Sequence, residues 1–146
     1  MRNQEVKYDF EITCETPKSV AIPDVLLQNK FFSKHFFQSK NFDIENDEFF
    51  RTPDLLFHNY ENKKHQLIAV EIKPLNTGNP MLYKDLAKLM FYVKSRLQFK
   101  KAILMLYGIE NRRRFAEIPN IKKTLQDFPE IEIWVITPNK VEIIKF

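Results

Sequence analysis

Cysteine is almost absent from this chain: Cys14 stands alone among 146 residues. A single thiol excludes an internal disulfide framework and a cysteine-rich zinc site. Glycine is scarce too, with only Gly78 and Gly108. No Walker-type loop, HExxH or GxSxG occurs, so nucleotide-binding, zincin and nucleophile-elbow chemistries lose their simplest support. His35, His58 and His65 show no metal-ligand spacing on one element and read as surface residues. No apolar run reaches the roughly 20 residues that span a membrane, and MRNQEVKYDF lacks the basic-then-apolar pattern of a signal peptide. These absences point to a soluble cytoplasmic protein without a membrane partner.

Charge of one sign is also in short supply. Twenty-three basic and nineteen acidic residues leave +4, which fits a polyanionic partner and a mildly basic surface equally well. Hydrophobic residues make up 44% of the chain, enough for a packed core in one domain over 1–146.

With so little glycine, proline and hydrophobic periodicity mark the elements. YDFEITCE alternates weakly and reads as a short strand. Pro23-Asp24 precedes VLLQNKFFSKHFF, whose apolar spacing predicts a helix with Asp24 as its N-cap. NFDIEND, from Asn41 to Asp47, reads as another short strand. Thr52–Phe57 and Leu67–Lys73 are stronger strands, joined by the polar HNYENKKHQ as a hairpin. After the loop around Pro74, Gly78 and Pro80, the spacing of Leu82, Leu86, Leu89, Met90, Val93 and Leu97 predicts a helix to about Phe99. Ala102–Tyr107 is continuously apolar, as befits a central strand reached by a parallel crossover. A polar helix is expected between Arg112 and Asp127, interrupted near Pro119. IEIWVIT and KVEIIKF then form two strands around a Thr-Pro-Asn turn. The order predicts a mixed sheet flanked by helices, an α/β domain.

Three charges interrupt the apolar strands: Asp54 opens one, and Glu71 and Lys73 close the next. Side chains alternate along a strand, so Glu71 and Lys73 share a face. If the hairpin centres near Asn62 and Lys63, Asp54 faces Glu71, with Cβ atoms about 5 Å apart. Two carboxylates so placed repel unless a cation lies between them. Mg²⁺ or Mn²⁺ suits an all-oxygen site, and the Ile72 carbonyl offers a further oxygen. Lys73 would then stand near the metal-bound water and the phosphate under attack. The same residues also fit a sheet-edge salt bridge in which Lys73 pairs with Asp54 or Glu71.

Pro53-Asp54 followed by Glu71-Ile72-Lys73 resembles the PD-(D/E)XK nuclease superfamily, the restriction-endonuclease-like fold. The resemblance extends from about Asp24 to Tyr107 in the order helix, three-stranded meander, helix, strand. Its first strand would be Asn41–Glu45, its second Thr52–Phe57 and its third Leu67–Lys73. It implies a three-layer αβα core around a central mixed β-sheet, and metal held by Asp54, Glu71 and Ile72. It also implies that Lys73 assists the attacking water. Many members place a polar residue on the following helix. Lys84, Asp85 and Lys88 qualify, with Lys88 preferred, while an exposed Lys84–Lys88 pair around Asp85 is the plainer reading. The acidic residue that many members carry on the first helix is missing, leaving Gln28 or Glu45 in its place.

Arg112, Arg113 and Arg114 form a compact basic cluster suited to phosphate contacts without sequence choice, and equally to a solvated loop. The fourteen phenylalanines read mostly as core, but the pairs at 31–32, 36–37 and 49–50 are dense for one buried helix face, so some of them would sit at an oligomer interface. The expected activity is Mg²⁺-dependent hydrolysis of phosphodiester bonds, DNA ahead of RNA. The chain leaves little room for a sequence-reading domain, so specificity would come from a homodimer or a protein partner. The alternative is a catalytically inactive member of the same fold that binds nucleic acid or protein.

Overall fold

The computed structural model describes residues 11–13, 22–36, 54–58, 66–95, 98–109 and 118–145. Its centre is one six-stranded sheet in which spatial order follows chain order. The strands are β1 (Glu11–Thr13), β2 (Leu55–His58), β3 (Gln66–Pro74), β4 (Lys101–Tyr107), β5 (Ile131–Thr137) and β6 (Lys140–Lys145). β1–β2, β2–β3 and β5–β6 pair antiparallel, and β3–β4 and β4–β5 pair parallel. The sheet is therefore mixed, with the apolar run Ala102–Leu106 on a strand flanked by parallel neighbours on both sides, as its composition predicts.

Helices α1 (Asp24–Leu27), α2 (Lys30–Phe36), α3 (Asn79–Lys94) and α4 (Ile118–Leu125) accompany the sheet. The single helix expected after Pro23 is divided. Pro23, not Asp24, is the N-cap of α1, and no side chain caps it. The Asn29 carboxamide accepts the Phe32 N–H at 2.9 Å and starts α2 afresh, which is why the periodic stretch breaks. Pro80 lies in the first turn of α3, where its missing N–H costs nothing. The helix therefore begins at Asn79 rather than Leu82, and it ends at Lys94 rather than near Phe99. Ser95 is extended, and Gln98 adopts a left-handed conformation with φ 49°. Pro119 is the second residue of α4 as described, and the part of the expected helix before Ile118 lies outside the described residues.

Cross-strand partners place Leu56, Ala69, Ala102 and Ile131 in one row and Leu104 and Ile133 in the next, on the same face. These residues, with Leu86, Leu89 and Met90 of α3 and Ile121 and Leu125 of α4, make one buried cluster. Val70 and Ile103 are buried outside that cluster, on the opposite face. Among the described residues the helices thus gather on one side of the sheet, and the three-layer arrangement is not seen in full. α2 packs on the outer side of α3, with Phe36 and Phe91 rings 5.7 Å apart and Phe31 edge-on to Tyr83 at 5.6 Å. Phe32 and Phe36 therefore belong to the core rather than to an interface, and Phe37, Phe49 and Phe50 lie outside the described residues. His35, read as a surface residue, is buried against Phe31 and Tyr83 because it shares the inner face of α2 with Phe32 and Phe36. Burial, helped by the neighbouring Lys34 charge, lowers its pKa.

The Asn41–Glu45 strand lies outside the described residues. Both edges of β2 are already occupied, by β1 and β3, so the weakly alternating segment near the N-terminus supplies its second neighbour. No described helix is long and apolar enough to cross a membrane.

The ends of β3, β4 and β5 are drawn together by Leu75 N–H to Tyr107 O (2.7 Å) and Gly108 N–H to Ile136 O (3.0 Å). A Cβ at Gly108 would stand 2.9 Å from the Cβ of buried Leu75, a carbon that cannot rotate away. Gly108→Ala is expected to lower stability by about 1–3 kcal/mol. An unchanged urea midpoint would show that this end of the sheet relaxes freely.

Candidate active site

The hairpin register is the one that a centre near Asn62 and Lys63 requires. Leu55 faces Val70, Leu56 faces Ala69 and Phe57 faces Ile68, with a bulge only between Phe57 and His58. Continued one step past the start of β2, it brings Asp54 opposite Glu71. The Asp54 Oδ2 accepts the Ile72 N–H at 2.6 Å, which fixes this exposed carboxylate against the end of β3. N–H and C=O of one strand residue project toward the same edge. The Ile72 carbonyl therefore also faces the Asp54 side.

Glu71 and Lys73 lie on the face covered by α3. Because α3 returns antiparallel to β3 before the parallel β4, its earlier residues stand beside the later residues of β3. Asp85 accordingly meets Lys73, with Oδ2 and Nζ 3.6 Å apart. One turn on, Lys88 meets Glu71, with Nζ and Oε1 2.6 Å apart. A further turn along that face, the buried Tyr92 hydroxyl donates to the Glu71 carboxylate. The spacing 85, 88, 92 keeps all three on one face of the helix.

Burial governs the electrostatics. Glu71 is 1% exposed and Asp85 5%. Loss of water pushes the Glu71 carboxyl up to about 7. Lys88 works against that rise by its charge and hydrogen bonding, and Asp85 and Asp54 reinforce it. Burial also raises Asp85, opposed by Lys88 and Lys73. The Tyr92 hydroxyl is pushed well above its ordinary value, chiefly by burial and then by the nearby carboxylates. Glu71 Oε1 and Asp85 Oδ2 are met by Lys88 at 2.6 Å and by Lys73 at 3.6 Å, in ion pairs whose angles are poor for hydrogen bonds.

The structure thus brings Asp54, Glu71, Ile72, Lys73 and Lys88 together. Lys73 pairs with Asp85 rather than with Asp54 or Glu71, so the simple sheet-edge bridge is replaced by two crossed pairs between β3 and α3. Lys88 is not an exposed helix residue, since only 12% of its side chain meets solvent. Asp85 contributes a third carboxylate, and Tyr92 is a member that sequence reasoning missed. The i, i+3, i+7 spacing of Asp85, Lys88 and Tyr92 was the available signal. Gln28 lies exposed at the end of α1. Glu45 and the cluster Arg112, Arg113 and Arg114 lie outside the described residues.

A divalent cation is tested by the donor set. Asp54, Glu71, Asp85 and the Ile72 carbonyl are all hard oxygen donors, the class that Mg²⁺ and Mn²⁺ prefer. The chemistry fits. Among the described residues, however, no three His, Cys, Asp or Glu side chains are arranged to hold a metal ion as they stand. No family model, curated protein or solved structure matches this chain, so the site is judged on its own geometry.

Proposed function

We propose that this protein is a metal-dependent nuclease of the restriction-endonuclease-like, PD-(D/E)XK kind, hydrolysing phosphodiester bonds of nucleic acid, DNA ahead of RNA. The observation that carries the reading is the docking of the Asp54 carboxylate on the Ile72 N–H, beside Glu71 and Lys73 at the end of β3. Asp54, Glu71 and the Ile72 carbonyl would hold Mg²⁺ or Mn²⁺. The cation would lower the pKa of a bound water and offset charge on the phosphate. Lys73, a quarter exposed at the edge of the cluster, is positioned to stabilise the anionic oxygens that develop on phosphorus. Lys88 balances the buried Glu71 charge. Arg112, Arg113 and Arg114 would add phosphate contacts, and a second copy or a protein partner would supply specificity.

The test is a Mg²⁺-supplemented screen of single- and double-stranded DNA and RNA. Cleavage of at least one form, lost with chelator, is expected. No cleavage of any form in Mg²⁺ or Mn²⁺ would overturn the reading. One observation favours a second one: both lysines are already engaged, Lys73 by Asp85 and Lys88 by Glu71. A crossed clamp of this kind can stand without metal, as in an inactive member of the fold that binds nucleic acid or protein. Retained nucleic-acid binding with no calorimetric signal for Mn²⁺ would select it.

A further inference from the structure

We propose that β6 is a self-association edge: two copies of this chain pair their β6 strands antiparallel about a twofold axis, with Ile143 facing its counterpart. The pairing goes beyond the nuclease reading and does not depend on it.

The two edges of the sheet are unequal. β1 (Glu11–Thr13) is three residues long, and shortness is one of the usual ways to blunt an edge. β6 runs for six residues in unbroken register with β5 and holds neither a proline nor a bulge. Among the described residues nothing pairs with its outer side. The hairpin fixes which backbone groups are left over. Thr137 and Lys140 close a two-residue loop, so Lys140, and with it Glu142 and Ile144, turn N–H and C=O toward β5. Val141, Ile143 and Lys145 therefore turn theirs outward.

The side chains along this edge are apolar where an edge usually carries charge. Val141 is 58% exposed and Ile143 46%, both on the sheet face away from the helices. Each ends an apolar row: Ile143 stands beside Trp134 and Met105, and Val141 beside Ile136 and the half-exposed Tyr107. The two lysines of β6 are held by carboxylates. Lys145 Nζ lies 3.7 Å from the buried Glu132, and Lys140 Nζ lies 4.0 Å from Glu142. Their charge is offset within one copy, so little repulsion opposes a second.

Self-pairing has one favourable register. A twofold perpendicular to the sheet keeps each face on its own side, so only residues of the same face can stand opposite. Centring on Glu142 sets two like charges against each other. Centring on Val141 or Ile144 shortens the overlap and leaves outward groups unpaired. Centring on Ile143 sets isoleucine on isoleucine at the axis and Val141 against Lys145 of the second copy on either side. Every outward N–H and C=O of Val141, Ile143 and Lys145 then meets an outward partner. The row Met105, Trp134, Ile143 runs on across the axis, and the helices of both copies stay on one side of the joined sheet.

Sedimentation velocity of the full chain between about 1 and 100 μM should show monomer passing to dimer. Ile143→Lys and Ile143→Glu, each checked by circular dichroism, should each weaken the dimer by about tenfold or more, because like charges then meet on the axis. An equimolar mixture of the two should restore it, because opposite charges meet. Should the variants not fold, hydrogen exchange on the wild type still decides. The Val141, Ile143 and Lys145 amides should exchange about tenfold or more slowly in the dimer than in dilute monomer. The Glu142 and Ile144 amides, already turned to β5, serve as the control that changes far less. A wild type that stays monomeric leaves the edge to a strand of another protein and overturns self-pairing. Single variants that dimerise like the wild type, a mixture that stays monomeric, or outward amides left unprotected in the dimer overturn it equally.

Discussion

Lys73→Ala should lower Mg²⁺-dependent cleavage by about two to three orders of magnitude while leaving the fold intact, the size of effect seen when one preorganised stabiliser of a transition-state anion is removed. The asymmetry between activity and stability follows from its surroundings. Lys73 is the later charged residue of β3, with a quarter of its side chain in solvent, and its partner Asp85 stands 3.6 Å away. A partly exposed pair of that length contributes at most about 1 kcal/mol. Asp85 also keeps the Lys88 charge when Lys73 is gone. Single-turnover cleavage, with circular dichroism and a melting curve on the same preparation, separates the two effects. Full activity in the folded variant would remove Lys73 from the chemistry and return it to a purely structural role. A matching loss of activity and melting temperature would mean that the variant had lost its fold.

Lys88→Met should destabilise the protein by about 3–5 kcal/mol at pH 8, the range for stripping one partner from a buried ion pair, and by about 1 kcal/mol less at pH 6. The pH dependence comes from Glu71. Its carboxyl is pushed from an ordinary 4.5 up to about 7 by burial, with Lys88, Asp85 and Tyr92 facing it from α3 and Asp54 from the lead-in to β2. A carboxyl raised on folding binds its proton more tightly in the native state. Its contribution is complete below about pH 4.5 and is lost as pH climbs through 7. Removing Lys88 takes away the main influence holding the pKa down, so the variant goes on losing stability at pH values where the wild type has levelled off. Urea denaturation at pH 6 and 8 reads this directly. The double variant Glu71→Gln, Lys88→Met buries no net charge at the pair and should recover most of the loss. An equal deficit at both pH values would assign Lys88 to packing alone.

Much of the fold was legible because it rests on short-range pattern. The continuous apolar run from Ala102 announced a central parallel strand. The polar segment after Phe57 announced a hairpin, and equal spacing about Asn62 and Lys63 sufficed for its register. Other boundaries depended on local competition that periodicity does not see. The Asn29 side chain restarts a helix inside a regular apolar stretch. Pro80 sits in the first turn of α3, where it is tolerated. The neighbour of β2 was a matter of distant pairing, since three residues near Ile12 carry too little pattern to reveal a partner more than forty positions away.

The candidate site divides along the same line. The sequence alone determined that Asp54, Glu71 and Lys73 stand together at one end of a hairpin, because strand alternation and hairpin arithmetic act over a few residues. Only the tertiary structure decided who pairs with whom. The antiparallel return of α3 sets Asp85 beside Lys73 and Lys88 beside Glu71, and the packing of that helix removes the water that would have screened them. Burial is a property of the assembled layers, not of any segment. It draws Glu71 and Lys73 into a cluster of five charged side chains and Tyr92, with one carboxyl pushed up to about 7.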